Sequence, residues 1–102
     1  MNKLTVVIIS YNEETNIGRC LDSVRGIADE IIAVDSFSTD RTREIAEQKG
    51  AKVHARKFDS YGIQKNYGNA LASHDYIFSI DADEVLSEEL KQSIIEAKSN
   101  FL

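Results

Sequence analysis

Asp81-Ala82-Asp83-Glu84 places three carboxylates within four positions, directly after the apolar, β-branched and aromatic run Tyr76-Ile77-Phe78-Ser79-Ile80. Such a run reads as a buried strand. The acids therefore leave the C-terminal end of a strand, the edge at which open α/β sheets bind ligands. Carboxylates massed there repel one another unless something positive joins them, and a hard divalent cation carrying a phosphorylated ligand meets that need. A D-x-D pattern is short, and acids between a strand and a helix also occur on solvated surfaces. The metal reading therefore depends on what the rest of the chain brings to the same edge.

Strand-like and helix-like runs alternate four times. Leu4 to Ser10 is apolar almost throughout, as a strand covered on both faces should be. Ile17, Leu21 and Val24 repeat at helical spacing between Thr15 and about Arg25. Glu30 to Asp35 is the second strand, and Thr39 or Asp40 can cap a helix that stops at Gly50. Ala51 to Ala55 is a weaker third strand, and Ile63, Tyr67, Ala70 and Leu71 mark the apolar side of a third helix. Tyr76 to Ile80 is the fourth strand. Ser87 then caps a last helix, with Glu88 and Glu89 in the dipole-favoured first turn and Leu90, Ile94 and Ala97 on one face. Strict alternation predicts right-handed crossovers and a parallel α/β sheet, so all C-terminal strand ends share one edge. The first strand delivers Ser10-Tyr11-Asn12-Glu13 there, the second Asp35-Ser36, the fourth Asp81-Ala82-Asp83; the third ends in Arg56 and Lys57.

A length of 102 residues fits one small domain with one core. The net charge of −5 offers no basic face, which argues against a nucleic-acid partner. Cys20 is the single cysteine, so no internal disulfide can form, as suits a reducing compartment; its place in a helical pattern reads as a small core residue. The apolar run Leu4 to Ile9 is too short for a signal segment or a membrane span and ends at Tyr11-Asn12-Glu13-Glu14, which points to the cytoplasm. His54 and His74 have no ligand partners at useful spacing.

Ile9-Ser10-Tyr11-Asn12-Glu13-Glu14, Val34-Asp35-Ser36-Phe37-Ser38-Thr39-Asp40 and Asp81-Ala82-Asp83-Glu84 together resemble the signature set of family 2 glycosyltransferases. These are inverting, metal-dependent enzymes of the GT-A fold that use nucleotide-activated sugars. The Asp-Ser-x-Ser-Thr-Asp loop and the Gln64-Lys65-Asn66 segment resemble the bacterial lipopolysaccharide-core type. The resemblance covers essentially the whole chain. It implies a Rossmann-like half with strand order 3-2-1-4, which would turn Tyr11, Asp35 and Asp83 toward one crevice. A dinucleotide dehydrogenase would need a glycine-rich turn after the first strand, and a receiver domain an acid pair; neither is present.

The resemblance assigns the residues as follows. Ser10, Tyr11, Asn12, Glu13, Asp35, Ser36, Lys65 and Asp81 would bind the nucleotide-sugar, most simply a UDP-sugar. Asp83 would ligate Mg²⁺ or Mn²⁺. Tyr11 can offer a flat face to a base, or be a half-buried loop residue. Asp35 can accept from a base N–H or a ribose hydroxyl, or cap the turn that follows. The family often carries Asp-Asp-Gly-Ser where this chain has Asp35-Ser36-Phe37-Ser38. Lys65 keeps a positive charge where many relatives carry arginine, but lacks the bidentate fork. The general base and the acceptor site are expected beyond Leu102, so no catalytic residue is assigned here. Residues 1–102 would then be a single, truncated nucleotide-sugar-binding domain of an enzyme building lipopolysaccharide or another cell-surface glycan. Its acceptor would be a glycan or lipid-linked molecule at the inner face of the membrane. Alone, the domain would be inactive and prone to self-association through the face meant for the remainder. The alternative is a non-catalytic sugar-nucleotide-binding or interaction fragment of the same ancestry.

Overall fold

The computed structural model describes residues 2–100. Strands β1 (Leu4–Ser10), β2 (Glu30–Asp35), β3 (Lys52–Ala55) and β4 (Tyr76–Asp81) pair in parallel in the order β3-β2-β1-β4. Helices α1 (Ile17–Val24), α2 (Thr42–Gln48), α3 (Tyr61–Leu71) and α4 (Glu88–Asn100) alternate with them. The expected class and strand order are both observed. Every residue of β1 is buried, because it lies mid-sheet with helices on both faces. Val6 and Ile8 face a core with Ile17, Leu21 and Val24 of α1; Val7, Ile9 and Val34 face a smaller one closed by Tyr67 and Leu71 of α3.

Helix ends follow local chemistry. α1 starts at Ile17, two residues later than Thr15, after a turn in which Asn16 and Ile17 both donate backbone N–H groups to the Glu13 carbonyl. α2 starts at Thr42, and Asp40 Oδ1 accepts its N–H at 2.9 Å although Arg41 holds the cap position. Gly50, at φ +95°, ends that helix as a left-handed residue should. Ser87 Oγ accepts the Leu90 N–H at 3.2 Å, as expected of a cap.

Two helices turn differently from their apolar pattern. On α3 the buried residues are Gln64 and Gly68, whereas Ile63 is 46% exposed. Gly68 explains the rotation: a Cβ there would lie 2.5 Å from Val7 Cγ1 and 3.1 Å from Val34 Cγ2, so α3 sits directly on the sheet. Ala is the better helix former by about 1 kcal/mol, but here the added methyl would push the helix off two fully buried valines. Overpacking of that kind costs roughly 1–3 kcal/mol. We expect Gly68→Ala to lower stability by about 1–2 kcal/mol in urea denaturation; equal midpoints for both proteins would show that α3 moves freely. On α4, Ile94 packs on the main core while Leu90 is 44% exposed. The helix is held by Lys98, buried, whose ammonium donates to the Ile27 carbonyl at 2.8 Å and to Asp29 at 2.9 Å.

The N-terminal sheet edge is tied by Glu30. Its carboxylate accepts from Thr5 Oγ1 at 2.8 Å, Lys52 Nζ at 2.8 Å, and the Ser73 N–H and hydroxyl at 2.8 and 2.9 Å. One side chain thereby joins β1, β2, β3 and the segment entering β4.

Candidate functional site

At the opposite edge, the strand register sets Ser10 beside Asp35 and Ile9 beside Asp81. The loops leaving β1, β2 and β4, with the start of α3, enclose a cleft of about 480 Å³ lined by Ser10, Tyr11, Glu13, Ser36, Phe58, Tyr61, Asp81 and Asp83, among others.

The acidic turn is placed by its neutral member. Ala82 is 2% exposed and donates its N–H to the Ile9 carbonyl at 3.3 Å, while Leu86 is buried and donates to Ser23 Oγ at 3.0 Å. The turn is thus pinned on β1 and α1, and Asp81 and Asp83 are left lining the cleft. Glu84 is occupied: its Oε1 accepts the Asp81 N–H at 2.9 Å. The carboxylates of Asp81 and Asp83 have no hydrogen-bond or ion-pair partner among the described residues. Nearby, burial pushes the Cys20 thiol up to about 12, and the charges of Glu84, Asp83 and Asp81 add to it, so Cys20 is an inert core residue.

No three acids, histidines or cysteines converge to hold a metal among the described residues. A cation held by protein alone is therefore a poor fit. The donor set suits instead an ion such as Mg²⁺ or Mn²⁺, which takes one or two carboxylates and draws its other ligands from phosphate and water.

The β1 and β2 exits brace one another. Asp35 does not line the cleft: its side chain is 1% exposed. Its oxygens accept from Ser10 Oγ at 2.8 Å, Ser38 N–H at 2.7 Å and Ser38 Oγ at 2.6 Å, with Arg43 Nε at 3.6 Å. Of the two roles open to Asp35 in the sequence, this geometry is the turn cap; a free acceptor it is not. Asn12 likewise supports the loop, its N–H donating to Ser38 Oγ at 2.9 Å and its Oδ1 accepting the Thr39 N–H at 2.8 Å. Lys65 is half-buried on α3, outside the cleft lining. Ser10, Tyr11, Glu13, Ser36, Asp81 and Asp83 are thus brought together, and Asn12, Asp35 and Lys65 are not.

Three features lay outside the sequence reading. Phe58 and Tyr61 line the cleft from the β3–α3 connection. Gln64, fully buried, donates to Ser36 Oγ at 3.2 Å and accepts from Arg56 at 3.0 Å, whose guanidinium lies 5.0 Å over the Tyr67 ring. The amide in a Gln-Lys-Asn helix turn was the available signal, since a glutamine among apolar helix positions must find partners. Phe37 sits at φ +56°. That left-handed conformation, where the family pattern has glycine, costs a bulky residue roughly 1–2 kcal/mol. Phe37 is 54% exposed, so its ring offers little burial in return. Phe37→Gly should raise stability by about 0.5–1 kcal/mol, after the entropy that glycine adds to the unfolded chain. A fall in the urea midpoint would instead mean that the ring is held.

The sequence model of glycosyl transferase family 2 matches residues 5–100. The chain belongs to glycosyl transferase family 2. Among relatives of the family, an uncharacterized glycosyltransferase of Rickettsia felis is 48% identical over 94 residues, 92% of this chain and 33% of the relative. Glycosyltransferase SunS of Bacillus phage SPbeta is 35% identical over 94 residues, 89% of this chain and 22% of that protein. The glucosyl-3-phosphoglycerate synthase of Mycobacterium tuberculosis, solved with Mn²⁺, uridine diphosphate and glucosyl-3-phosphoglycerate, superposes with a TM-score of 0.71 at 29% identity over 79% of this chain and 33% of the other. The chain spans about a third of the length of the Rickettsia relative and of the synthase, and about a fifth of SunS. No described helix is long and apolar enough to cross a membrane.

Proposed function

We propose that this chain binds the nucleotide-diphosphate-sugar donor of an inverting glycosyltransferase, with the base at Tyr11 and Ser36 and the diphosphate at Asp81 and Asp83. The observation that carries this is the pair of unpartnered carboxylates in the same cleft as an exposed tyrosine. Both phosphates of a nucleoside diphosphate are anionic, so they join such carboxylates only through a cation. Asp83, on the exposed side of the turn, is the residue we assign to Mg²⁺ or Mn²⁺, and Asp81 to a ribose hydroxyl or an ion-bound water. When bound, the ion would offset the charge that grows on the departing diphosphate. Asp35 contributes by fixing Ser10 and the turn at Ser38, and Lys65 by long-range attraction rather than contact.

The M. tuberculosis synthase in complex with uridine diphosphate supports uridine as the base. Resemblance to lipopolysaccharide-core enzymes supports a glycan or lipid-linked acceptor and a reaction at the cytoplasmic face of the membrane. Calorimetric titration of residues 1–102 with uridine diphosphate should give binding in Mn²⁺ and little in its absence. Sugar transfer by this chain alone should be undetectable, since loss of a general base costs roughly 10²–10⁴-fold and loss of acceptor positioning more. Absence of binding with any nucleoside diphosphate would favour an interaction module; robust turnover would place the base within these residues.

A further inference from the structure

Three aromatic rings line the cleft, and two of them come from a segment not assigned to the donor. Phe58 and Tyr61 are 42% and 65% exposed, and Tyr11 is 57% exposed. Phe58 and Tyr61 meet edge to face, with centroids 5.2 Å apart and planes at 75°. In that arrangement the ring that presents its edge keeps both faces free for a third ring.

The segment bearing them is held at both ends. Arg56 donates its N–H to the Asp35 carbonyl at 2.8 Å, and its guanidinium bonds Gln64 at 3.0 Å and Asp59 at 3.3 Å. Ser60 Oγ caps α3 by accepting the Ile63 N–H at 3.2 Å. The pair is therefore a preset surface rather than a loose tip. In the strand order, β3 lies two strands from β1, about 10 Å away at the usual interstrand spacing. Ser36, at the β2 exit, lines the same cleft from the strand between those that lead to Tyr11 and to the pair. The unpartnered carboxylates lie on the far side of β1, at β4.

We propose that Phe58 and Tyr61 form the second wall of the base site, so that the donor's nucleobase stacks between this pair and Tyr11. This rests on the donor-binding reading above. Every nucleobase has a π-face, so the pair supplies affinity for a base in general; polar groups at Ser10 and Ser36 are left to choose among bases. The pair contributes nothing to the diphosphate.

The test separates base from diphosphate. Residues 1–102 are titrated in Mn²⁺ with uridine, cytidine, adenosine and guanosine diphosphates, and with inorganic pyrophosphate as the base-free probe. The same series is run on Phe58→Ala, Tyr61→Ala and Tyr61→Phe, with circular dichroism to confirm folding. Each alanine variant should weaken the preferred nucleoside diphosphate about tenfold, in the range that stacking on one aromatic supplies. Pyrophosphate affinity should be unchanged, and Tyr61→Phe should behave as the wild type. If nucleotides bind and the alanine variants match the wild type, the pair does not touch the base, and the donor reading survives without it. Equal weakening of nucleotide and pyrophosphate would show that the pair only shapes the cleft, and would also overturn the proposal. A wild-type chain that binds no nucleotide removes the donor reading and this inference together.

Discussion

Glu30→Ala should lower the melting temperature by roughly 10–20 °C, the largest loss we expect from a single side chain far from the cleft. The side chain of Glu30 is 5% exposed and serves four donors on three separate segments. Removing it leaves the hydroxyl of Thr5, a fully buried residue, without its acceptor, whereas the exposed Ser73 can turn to water. Breaking a buried pair costs about 3–5 kcal/mol. Lys52, whose side chain is 64% exposed, can return to water, so the expected loss is about 3 kcal/mol.

The same network should appear as acid sensitivity. Burial raises the carboxyl's affinity for a proton, but hydrogen bonds from Lys52, Ser73 and Thr5 outweigh it and bring Glu30 from 4.5 down to about 2. A folded-state value below the unfolded one means stability that is complete above about pH 4.5 and is lost as pH falls toward 2. The shift corresponds to at most about 3 kcal/mol, and to about 2 once solvent screening of Lys52 is allowed for. Glu30→Gln should therefore be less stable than the wild type at pH 7 and should lose less on acidification to pH 2.5. A slope persists in the variant, because hydrogen bonds and Lys98 hold Asp29 below its usual range as well. Identical acid slopes for the two proteins would mean that the network does not depend on ionisation.

Glu30 and Asp83 differ in how visible they are in the sequence. The sheet was legible because a fully buried strand such as β1 has no choice of face, so Leu4 to Ile9 reads as a mid-sheet strand, and the order of its neighbours came with the family resemblance. Glu30 read as an ordinary strand start, since its partners Thr5, Lys52 and Ser73 lie 25, 22 and 43 residues away. The α3 face was misjudged for the same reason. Periodicity weighs Ile63 and Ala70, but the deciding fact is that a missing Cβ at Gly68 lets the helix touch Val7, a contact between distant segments. At the site, Asp81 and Asp83 were legible because the apolar run Tyr76 to Ile80 ends directly before them and so sets them at a strand exit. Asp35 was ambiguous because an acid at a strand end serves a ligand and a turn equally well. Only the positions of Ser10 and Ser38 decide between these. Phe58 and Tyr61 follow a short, weak strand, and nothing local marks an exposed aromatic as part of a cleft.

The second large effect is ligand-linked. Asp81 and Asp83 face the cleft without cationic partners, and Glu84 stands beside them with only a backbone donor. A divalent ion with uridine diphosphate should bind the folded chain far better than the unfolded one. Mass action then stabilises the fold by about 2.7 kcal/mol when ligand is a hundredfold above its dissociation constant. For a domain of this size that is a rise in melting temperature of roughly 10 °C or more. Asp83→Asn should abolish most of the rise, since a neutral amide is a poor ligand for a hard cation. Asp83 makes no bond to the protein, so the substitution should leave the unliganded chain equally stable, or slightly more stable through loss of one repelling charge. That separates it from Glu30→Ala, which should weaken the protein with or without ligand. Thermal melts of wild type and Asp83→Asn, each with and without Mn²⁺ and uridine diphosphate, distinguish the outcomes. Equal ligand-induced shifts would place the cation on other residues, and no shift in either protein would argue against uridine diphosphate as the ligand of this cleft.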